Sequence, residues 1–400
     1  MYPNLYYAFK DLFHVDWGFL KFVNSFGFFV ALAFIGAAVT LSMELKRRER
    51  DGLLNSEEQK IIVGKPASLS ELLINFVIGF LLGYKFVGFF IANRGQEIDP
   101  RQYMFSSSGN LIAGLLVGGI LVFLKYREKS KSKLKDPEER VVRIWPHDRV
   151  GDMTFFAFLF GFLGAKLFDI LESPSDFIES IRAVNRGSQD FASIIFSGLT
   201  FYGGLICAAL AIWVYARKHH IGFWELNDSA APGLMLSYAI GRIGCQVSGD
   251  GDWGIENMHP KPISWLPEWM WSYHYPHNVI SKGINIPGCF DAQYCSQLPV
   301  GVYPTPFYET VMCLILFAVI WRLRKKFTIP GTLFAFYLIL NGVERFFIEK
   351  IRVNVKYDFL GIHPTQAEII SFLLVIIGAV LWIWLKKRKI AGTNHARAVE

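Results

Sequence analysis

Nine apolar runs, each near the length that crosses a bilayer, constrain this chain more than any other feature. A spanning helix needs about 17 to 25 mostly apolar residues, and such runs fall at residues 20–43, 72–91, 111–124, 153–171, 191–215, 230–247, 307–321, 331–347 and 369–385. The third and seventh are short, so seven or eight spans also stay open. With 52% hydrophobic residues and a mean hydropathy of +0.31, the chain lies well away from an ordinary soluble domain. The expected fold is an all-α polytopic membrane protein of about nine transmembrane helices, a single integral membrane domain over residues 1–400.

Basic clusters orient it. Lys46-Arg47-Arg48, the lysines of 125–135, Arg217-Lys218, Arg322 to Lys326 and Lys386 to Lys389 follow the first, third, fifth, seventh and ninth runs. Short basic loops stay on the cytoplasmic side. The N-terminus is therefore expected outside and the C-terminus in the cytosol, with residues 44–71 and 125–150 as cytosolic loops. The first of these is expected to lie on the surface or to be mobile. The net charge of +7 is accounted for by anionic lipid headgroups and calls for no nucleic acid. Residues 1–18 carry no pattern of a removable signal peptide.

The stretch Gly241-Arg242-Ile243-Gly244-Cys245-Gln246-Val247-Ser248-Gly249-Asp250-Gly251-Asp252-Trp253-Gly254 breaks the apolar pattern most sharply. An arginine within a span costs about 2.5 to 3.5 kcal/mol on insertion scales, so it marks a functional site with an anionic partner. Residues 249–303 then form an outside segment rich in Trp and Tyr, expected to be a small extracytoplasmic cap at headgroup level. Cys289 and Cys295 lie in it, where a disulfide is permitted; spacing alone leaves the bridge open. Cys207, Cys245 and Cys313 lie in spans, where a thiol usually just packs.

Other polar residues interrupt the remaining runs. Lys85 is expected to snorkel, and Lys166 either snorkels or binds an anion. Tyr202 sits among small residues, where a hydrogen bond between helices is the plain alternative to a site role. Glu309 opens the seventh run, where the helix dipole alone would favour a carboxylate. In the eighth run Arg345, Glu349 and Arg352 stand at i, i+4 and i+7, one helical face. At about 1.5 Å per residue, Arg345 lies roughly 21 Å and Arg242 roughly 18 Å from the inner side of the core.

Two arginines in the outer half of a bundle, beside glycines and under an aromatic cap, suit a phosphate entering from the lipid. Here the sequence resembles the prolipoprotein diacylglyceryl transferase family. Gly241, Arg242, Gly244, Gly249 and Gly254 match its hallmark Gly-Arg-x-Gly-Asn-Phe-x-Asn-Gly-Glu-x-x-Gly, with one residue inserted before Trp253. Tyr202-Gly203-Gly204-Leu205 resembles its His-Gly-Gly-Leu, and Pro304 to Glu309 its Pro-Ser-x-x-Tyr-Glu. Asn341 to Arg352 resembles its Tyr-Gly-x-x-Arg-Phe-x-x-Glu-x-x-Arg, and Thr365 to Ser371 the start of its last span. The likeness covers the first span and most of 151–385. Residues 72–124 look like a pair added to a seven-helix core. The chain departs from the pattern at Tyr202 (histidine in the family), at Cys245 and Ser248 (asparagines), at Asp250 or Asp252 (glutamate) and at Phe26 (tyrosine).

The resemblance implies transfer of the diacylglyceryl group of phosphatidylglycerol to the lipobox cysteine of a prolipoprotein signal peptide, releasing glycerol 1-phosphate at a bacterial inner membrane. It implies no cofactor and no metal. The expected catalytic set is Arg242, Arg345, Glu349, Asp250, Tyr202 and Glu309. Arg242 and Arg345 would clamp the phosphate, Glu349 would orient Arg345, and Asp250 or Glu309 would position Arg242 or accept a proton. Tyr202, with an ordinary pKa near 10, would serve as a hydrogen-bonding group. Arg352, Gly203, Gly204, Gly249, Gly254, Cys245, Ser248 and Tyr308 are expected to line the substrate. Two alternatives remain: a lipid-binding homologue without activity, and a secondary transporter of an anion.

Overall fold

In a computed structural model, residues 1–93, 98, 103–104, 106–186, 194, 198–289, 294–354, 357–358 and 363–397 are described. They form two compact units, Met1–Leu54 with Ala216–Glu400, and Asn55–Tyr215.

The first unit holds the cap and the helices that carry it. Helix α1 (Leu5–Phe13) precedes α2 (Ser25–Arg50), which Asn24 caps by accepting from Gly27 N at 3.2 Å. In the second unit, strand β1 (Glu57–Val63) leads to α3 (Leu69–Leu81), a π-helical turn (Leu82–Val87) and α4 (Gly88–Ala92). Ser68 and Glu71 form a reciprocal capping box at the start of α3. Next come α5 (Leu111–Lys131), β2 (Glu138–Ile144), α6 (Val150–Glu172) and α7 (Pro174–Asn185). Helix α8 (Phe201–Lys218) crosses from this unit back into the first. There the chain continues through α9 (Phe223–Ser248), the hairpin β3 (Ile284–Asn285) and β4 (Ser296–Gln297), α10 (Thr305–Leu323), α11 (Thr332–Glu349) and α12 (Gln366–Arg397).

Among the described residues a helix covers most of every apolar run. Five stretches are long and apolar enough to cross a membrane: Ser25–Arg50, Leu69–Ala92, Pro146–Glu172, Thr305–Lys326 and Gln366–Arg388. The fifth run was expected from residue 191, of which 191–193 and 195–197 lie outside the described residues. Among the described residues the fold is helical apart from two short antiparallel ribbons and isolated bridges. One ribbon orders part of the first expected loop, on the surface: β1 pairs with β2 from Glu57 opposite Ile144 to Val63 opposite Glu138, and both strands are largely exposed. Neither strand has a partner within its own loop, so no local pattern announces the pairing. Lys85 finds backbone partners. Its ammonium donates to the carbonyls of Ser106, Ser108 (2.7 Å) and Tyr103 (3.3 Å).

In the first unit α9 packs along α2 and against α10 and α11, and α11 lies along α12. Ala231, Met235 and Ala239 of α9, Cys313 and Ile320 of α10 and Leu333 of α11 form its fully buried core. Polar layers close both ends. At one end Glu44 of α2 is wholly buried and accepts from Arg47 Nε at 3.0 Å, Arg48 Nε at 3.3 Å and Arg324 Nε at 3.0 Å. Beside it Asp228 of α9 accepts from Gly331 N and Phe334 N, each at 2.8 Å, capping α11 from another helix. The other end carries the candidate site and the cap.

Trp253, Tyr275, Leu298 and Val302 form the cap's own core. Buried Asn278 ties it together, its side chain donating to the carbonyls of Tyr275, Lys282 and Ser296 and accepting from Lys282 N. Cys289 and Cys295 are disulfide-bonded.

Candidate active site

Three arginines and three carboxylates meet where α9, α10 and α11 reach the cap. Arg242 stands one and a half turns before the end of α9, which Gly249 stops in the left-handed region at φ 65°, donating its N–H to Cys245 O at 3.0 Å. Glu309, in the second turn of α10, is fully buried. Arg345 and Glu349 lie one turn apart on α11.

Glu309 is the hub. Its Oε2 lies 2.6 Å from Arg242 Nε and accepts from Tyr238 Oη at 2.7 Å, while Oε1 accepts from Arg352 Nη1 at 2.9 Å. Arg345 Nη1 comes within 3.7 Å of the same Oε2. Asp252 bridges the other side, one oxygen accepting from Arg242 and the other from Arg352 Nη2 at 2.7 Å. Arg345 Nη2 lies 2.9 Å from Glu349 Oε2, close enough to pair but poorly aligned for a hydrogen bond. Glu349 Oε1 accepts from Thr365 Oγ1 at 2.8 Å and from Asn354. Among the described residues, Arg345 Nη1 and Arg352 Nε have no hydrogen-bond partner in this buried network.

Several expected residues thus come together, Glu309 beside Arg242 and Glu349 beside Arg345. The two arginines share a partner inside the chain, Glu309, which acts as far more than a carboxylate near a helix start. Asp252, not Asp250, pairs with Arg242. Arg352 does not share a helical face with Arg345. Helix α11 ends at Glu349, the next residues tighten into i→i−3 turns, and Arg352 forms a bridge with Gly254. Gly254 is required there, because a Cβ would lie 2.5 Å from Ile351 O.

Ser248, Gly249 and Tyr308 sit at the seam with the cap. Val279 N donates to Ser248 O at 3.0 Å, a Cβ on Gly249 would touch Asn278, and Tyr308 Oη donates to Met270 O at 2.8 Å. Tyr202, Gly203 and Gly204 belong to the second unit, where a Cβ on Gly203 would lie 2.6 Å from Gly164 O and one on Gly204 3.0 Å from Gly161 O. Tyr238, Asn354 and Thr365 are residues of the network that the sequence did not name as site residues. Tyr238 left a signal, one helical turn before Arg242, and Thr365 opens the segment that resembles the family's last span.

Buried Cys245 places its Sγ 3.7 Å from Arg242 Nη1 and 4.0 Å from Asp252 Oδ2. Ligand atoms of Cys245, Asp250 and Asp252 lie within 4.8 Å of one another, a spacing that could hold a metal ion. Both oxygens of Asp252 already face guanidinium groups, whose charge opposes a cation there. Burial, with Asp252 adding to it, pushes the Asp250 carboxyl above the usual range, against the hydrogen bond with Cys245. At Asp252 burial acts in the same sense, but Arg242 and Arg352 outweigh it and hold its carboxyl below the usual range.

Comparison with known proteins gives this arrangement its setting. The sequence model of prolipoprotein diacylglyceryl transferase matches residues 112–384. The chain belongs to the prolipoprotein diacylglyceryl transferase family. Proteins called phosphatidylglycerol--prolipoprotein diacylglyceryl transferase resemble it at modest identity. That of Bifidobacterium adolescentis is 28% identical over 252 residues, covering 60% of this chain and 67% of the relative. That of Chlorobaculum tepidum is 27% identical over 244 residues, covering 60% and 70%. That of Streptococcus pyogenes serotype M5 is 29% identical over 250 residues, covering 62% and 82%. The family match starts inside α5, so it takes in one of the two helices that the sequence set apart as an addition, and it leaves α2 outside.

Proposed function

We propose that this protein transfers the diacylglyceryl group of phosphatidylglycerol to the lipobox cysteine of prolipoproteins, as a nine-span inner-membrane enzyme with its N-terminus outside and its C-terminus in the cytosol. Family membership supports the reaction, and one observation carries the site: among the described residues buried Arg345 Nη1 and Arg352 Nε make no hydrogen bond, beside a network that holds both guanidinium groups in place. A buried unpaired donor costs about 1 to 3 kcal/mol, which an anionic oxygen offsets.

In this reading the phosphate diester of the lipid accepts from those two donors. Arg242, fixed by Glu309 and Asp252, adds positive charge as the glycerol carbon–oxygen bond breaks toward phosphate. Glu349 orients Arg345. The same field favours the substrate thiolate, since a free thiol with a pKa near 8.5 is mostly protonated at neutral pH. The thiolate attacks the glyceryl carbon, a thioether forms, and glycerol 1-phosphate leaves with the bonding pair.

The test is transfer of labelled diacylglyceryl from phosphatidylglycerol to a lipobox peptide by the purified full chain in lipid nanodiscs. Thioether product dependent on both substrates supports the reading. No product, with lipid still bound, would leave the inactive lipid-binding homologue in its place. Transport of glycerol phosphate across vesicles without transfer would favour a transporter.

A further inference from the structure

At the end of the first unit away from the cap, cations outnumber the acids that could pair with them. A cavity of about 380 Å³ there is lined by Arg47, Arg50 and Asp51, where α2 ends, and by Lys325, just past α10. Arg47 is engaged on both sides, donating from Nη1 to Asp51 Oδ2 at 2.6 Å and from Nε to Glu44 at 3.0 Å. Glu44 serves Arg48 and Arg324 as well. Arg50 and Lys325 are both exposed, and among the described residues neither has a carboxylate partner. Arg50 Nε reaches the carbonyl of Lys46 at 3.4 Å, which leaves the rest of its fork open. Orientation in a membrane needs only charge in a loop. Here the charges are gathered round one cavity.

Its depth is that of lipid headgroups. Helix α10 has 19 residues, so at about 1.5 Å per residue it is about 29 Å long, near the roughly 30 Å of a hydrocarbon core. Glu309 of the candidate site lies near one end of it and Lys325 just beyond the other. The stretches Ser25–Arg50 and Thr305–Lys326, both able to cross a membrane, end at the cavity's own residues. Helices α2 and α10 both pack on α9, and the hydrogen bond from Arg324 to Glu44 joins them at this level. Along α2, Ile35, Val39 and Met43 are each more than half exposed and stand at i, i+4 and i+8. Arg50, at i+15, falls within the same arc of the helix. An exposed apolar stripe therefore leads to an open guanidinium group. A soluble anion would use the cations alone, whereas a phospholipid uses the stripe as well, and basic pockets between spanning helices suit its headgroup.

We propose that this cavity holds the phosphate of an anionic glycerophospholipid in the leaflet opposite the cap, with Arg50 and Lys325 as its partners and an acyl chain along Ile35, Val39 and Met43. The site is separate from the candidate active site and does not depend on the transfer reaction. Arg50 offers the phosphate a fork and Lys325 a point charge, while Arg47 adds its charge from a position fixed by Glu44 and Asp51. The lipid bridges the ends of α2 and α10. Binding to the folded chain alone stabilises it by mass action.

The experiment is native mass spectrometry of the full chain in neutral detergent with phosphatidylcholine, titrated with phosphatidylglycerol or phosphatidylserine, with the melting temperature read alongside. Wild type is compared with Arg50→Gln/Lys325→Gln and with Lys60→Gln/Lys65→Gln, which removes the same charge from exposed positions elsewhere. At a given lipid concentration wild type should retain one more anionic lipid than Arg50→Gln/Lys325→Gln, and should melt higher with that lipid present. A basic side chain near a membrane surface contributes a factor of about five, so the double variant should bind roughly 25-fold more weakly and lose most of the rise in melting temperature. Its transfer rate at saturating phosphatidylglycerol should stay at the wild-type level. Equal retention by wild type and double variant, or an equal loss in Lys60→Gln/Lys65→Gln, would overturn the proposal. So would inorganic phosphate or glycerol 1-phosphate raising the melting temperature as far as the lipids do, which would assign the cavity to a soluble anion. If the double variant does not accumulate, Arg50→Gln and Lys325→Gln decide singly: about five-fold weaker binding in each supports the site, and unchanged binding rejects it. Wild type without any transfer would reject the reaction and leave these lipid counts as they are.

Discussion

Arg242 Nε and Glu309 Oε2 lie 2.6 Å apart, a contact that fastens α9 to α10 at the depth where both helices meet the cap. Because Glu309 also takes Arg352 Nη1 at 2.9 Å, one buried carboxylate sets the spacing of two guanidinium groups. Charge alone would not do this. The planar fork of each arginine fixes direction as well as distance.

Arg242→Lys keeps the charge and loses the fork. It cannot serve Asp252 and Glu309 together, so transfer should fall at least about 10²-fold, in line with loss of a positioned transition-state contact, while the amount inserted in membranes holds. Arg345→Ala should behave alike, and Lys131→Ala, at the exposed end of α5, should leave the rate unchanged. Rates to a lipobox peptide at matched protein levels decide this.

Glu309→Gln leaves Arg242 and Arg352 short of their shared anion. Removing one partner of a buried ion pair costs about 3 to 5 kcal/mol, so the melting temperature in detergent should drop together with activity. A variant that melts like wild type would show that Asp252 and Glu349 suffice.

Gly254→Ala puts a methyl 2.5 Å from Ile351 O. The bridge between Gly254 and Arg352 must open, drawing Arg352 from Asp252 and Glu309. KM for phosphatidylglycerol should rise several-fold in a protein that still accumulates. An unchanged KM would place Arg352 outside lipid binding.

Asp252 gives a pH dependence with a definite sign. Its carboxyl is held below the usual range by Arg242 and Arg352 once these outweigh burial. The stabilisation is fully present above the unfolded value of about 3.9 and is lost as pH falls through the lower folded value. Acid melts of wild type should steepen in that window, and Asp252→Asn should melt earlier at neutral pH with a shallower acid dependence. Parallel curves for the two proteins would remove Asp252 from the linkage.

The helices were legible because a long apolar run is a local pattern, and Arg242 stood out as a charge inside one. What escaped depends on partners far along the chain. The ribbon of β1 with β2 joins two loops read as separate cytosolic segments. Arg352 was given a helical neighbour by its spacing, yet the helix stops at Glu349 and the residue turns toward Gly254, about a hundred positions earlier. Asp252 and Asp250 could not be told apart in sequence, since which of them meets Arg242 depends on the bend after Gly249.

Glu44 extends the same lesson to biogenesis. It lies in α2, yet one of its three arginine partners, Arg324, follows 280 residues later. Chains emerge N-terminus first and domains generally fold as units, so ribosomes finish most of the polypeptide before this acid gains its third cation. The ion pair that closes this end of α2 thus forms only after Arg324, just past α10, has been made. Truncated chains ending before residue 324 should therefore be recognised by quality-control proteases while longer ones escape them.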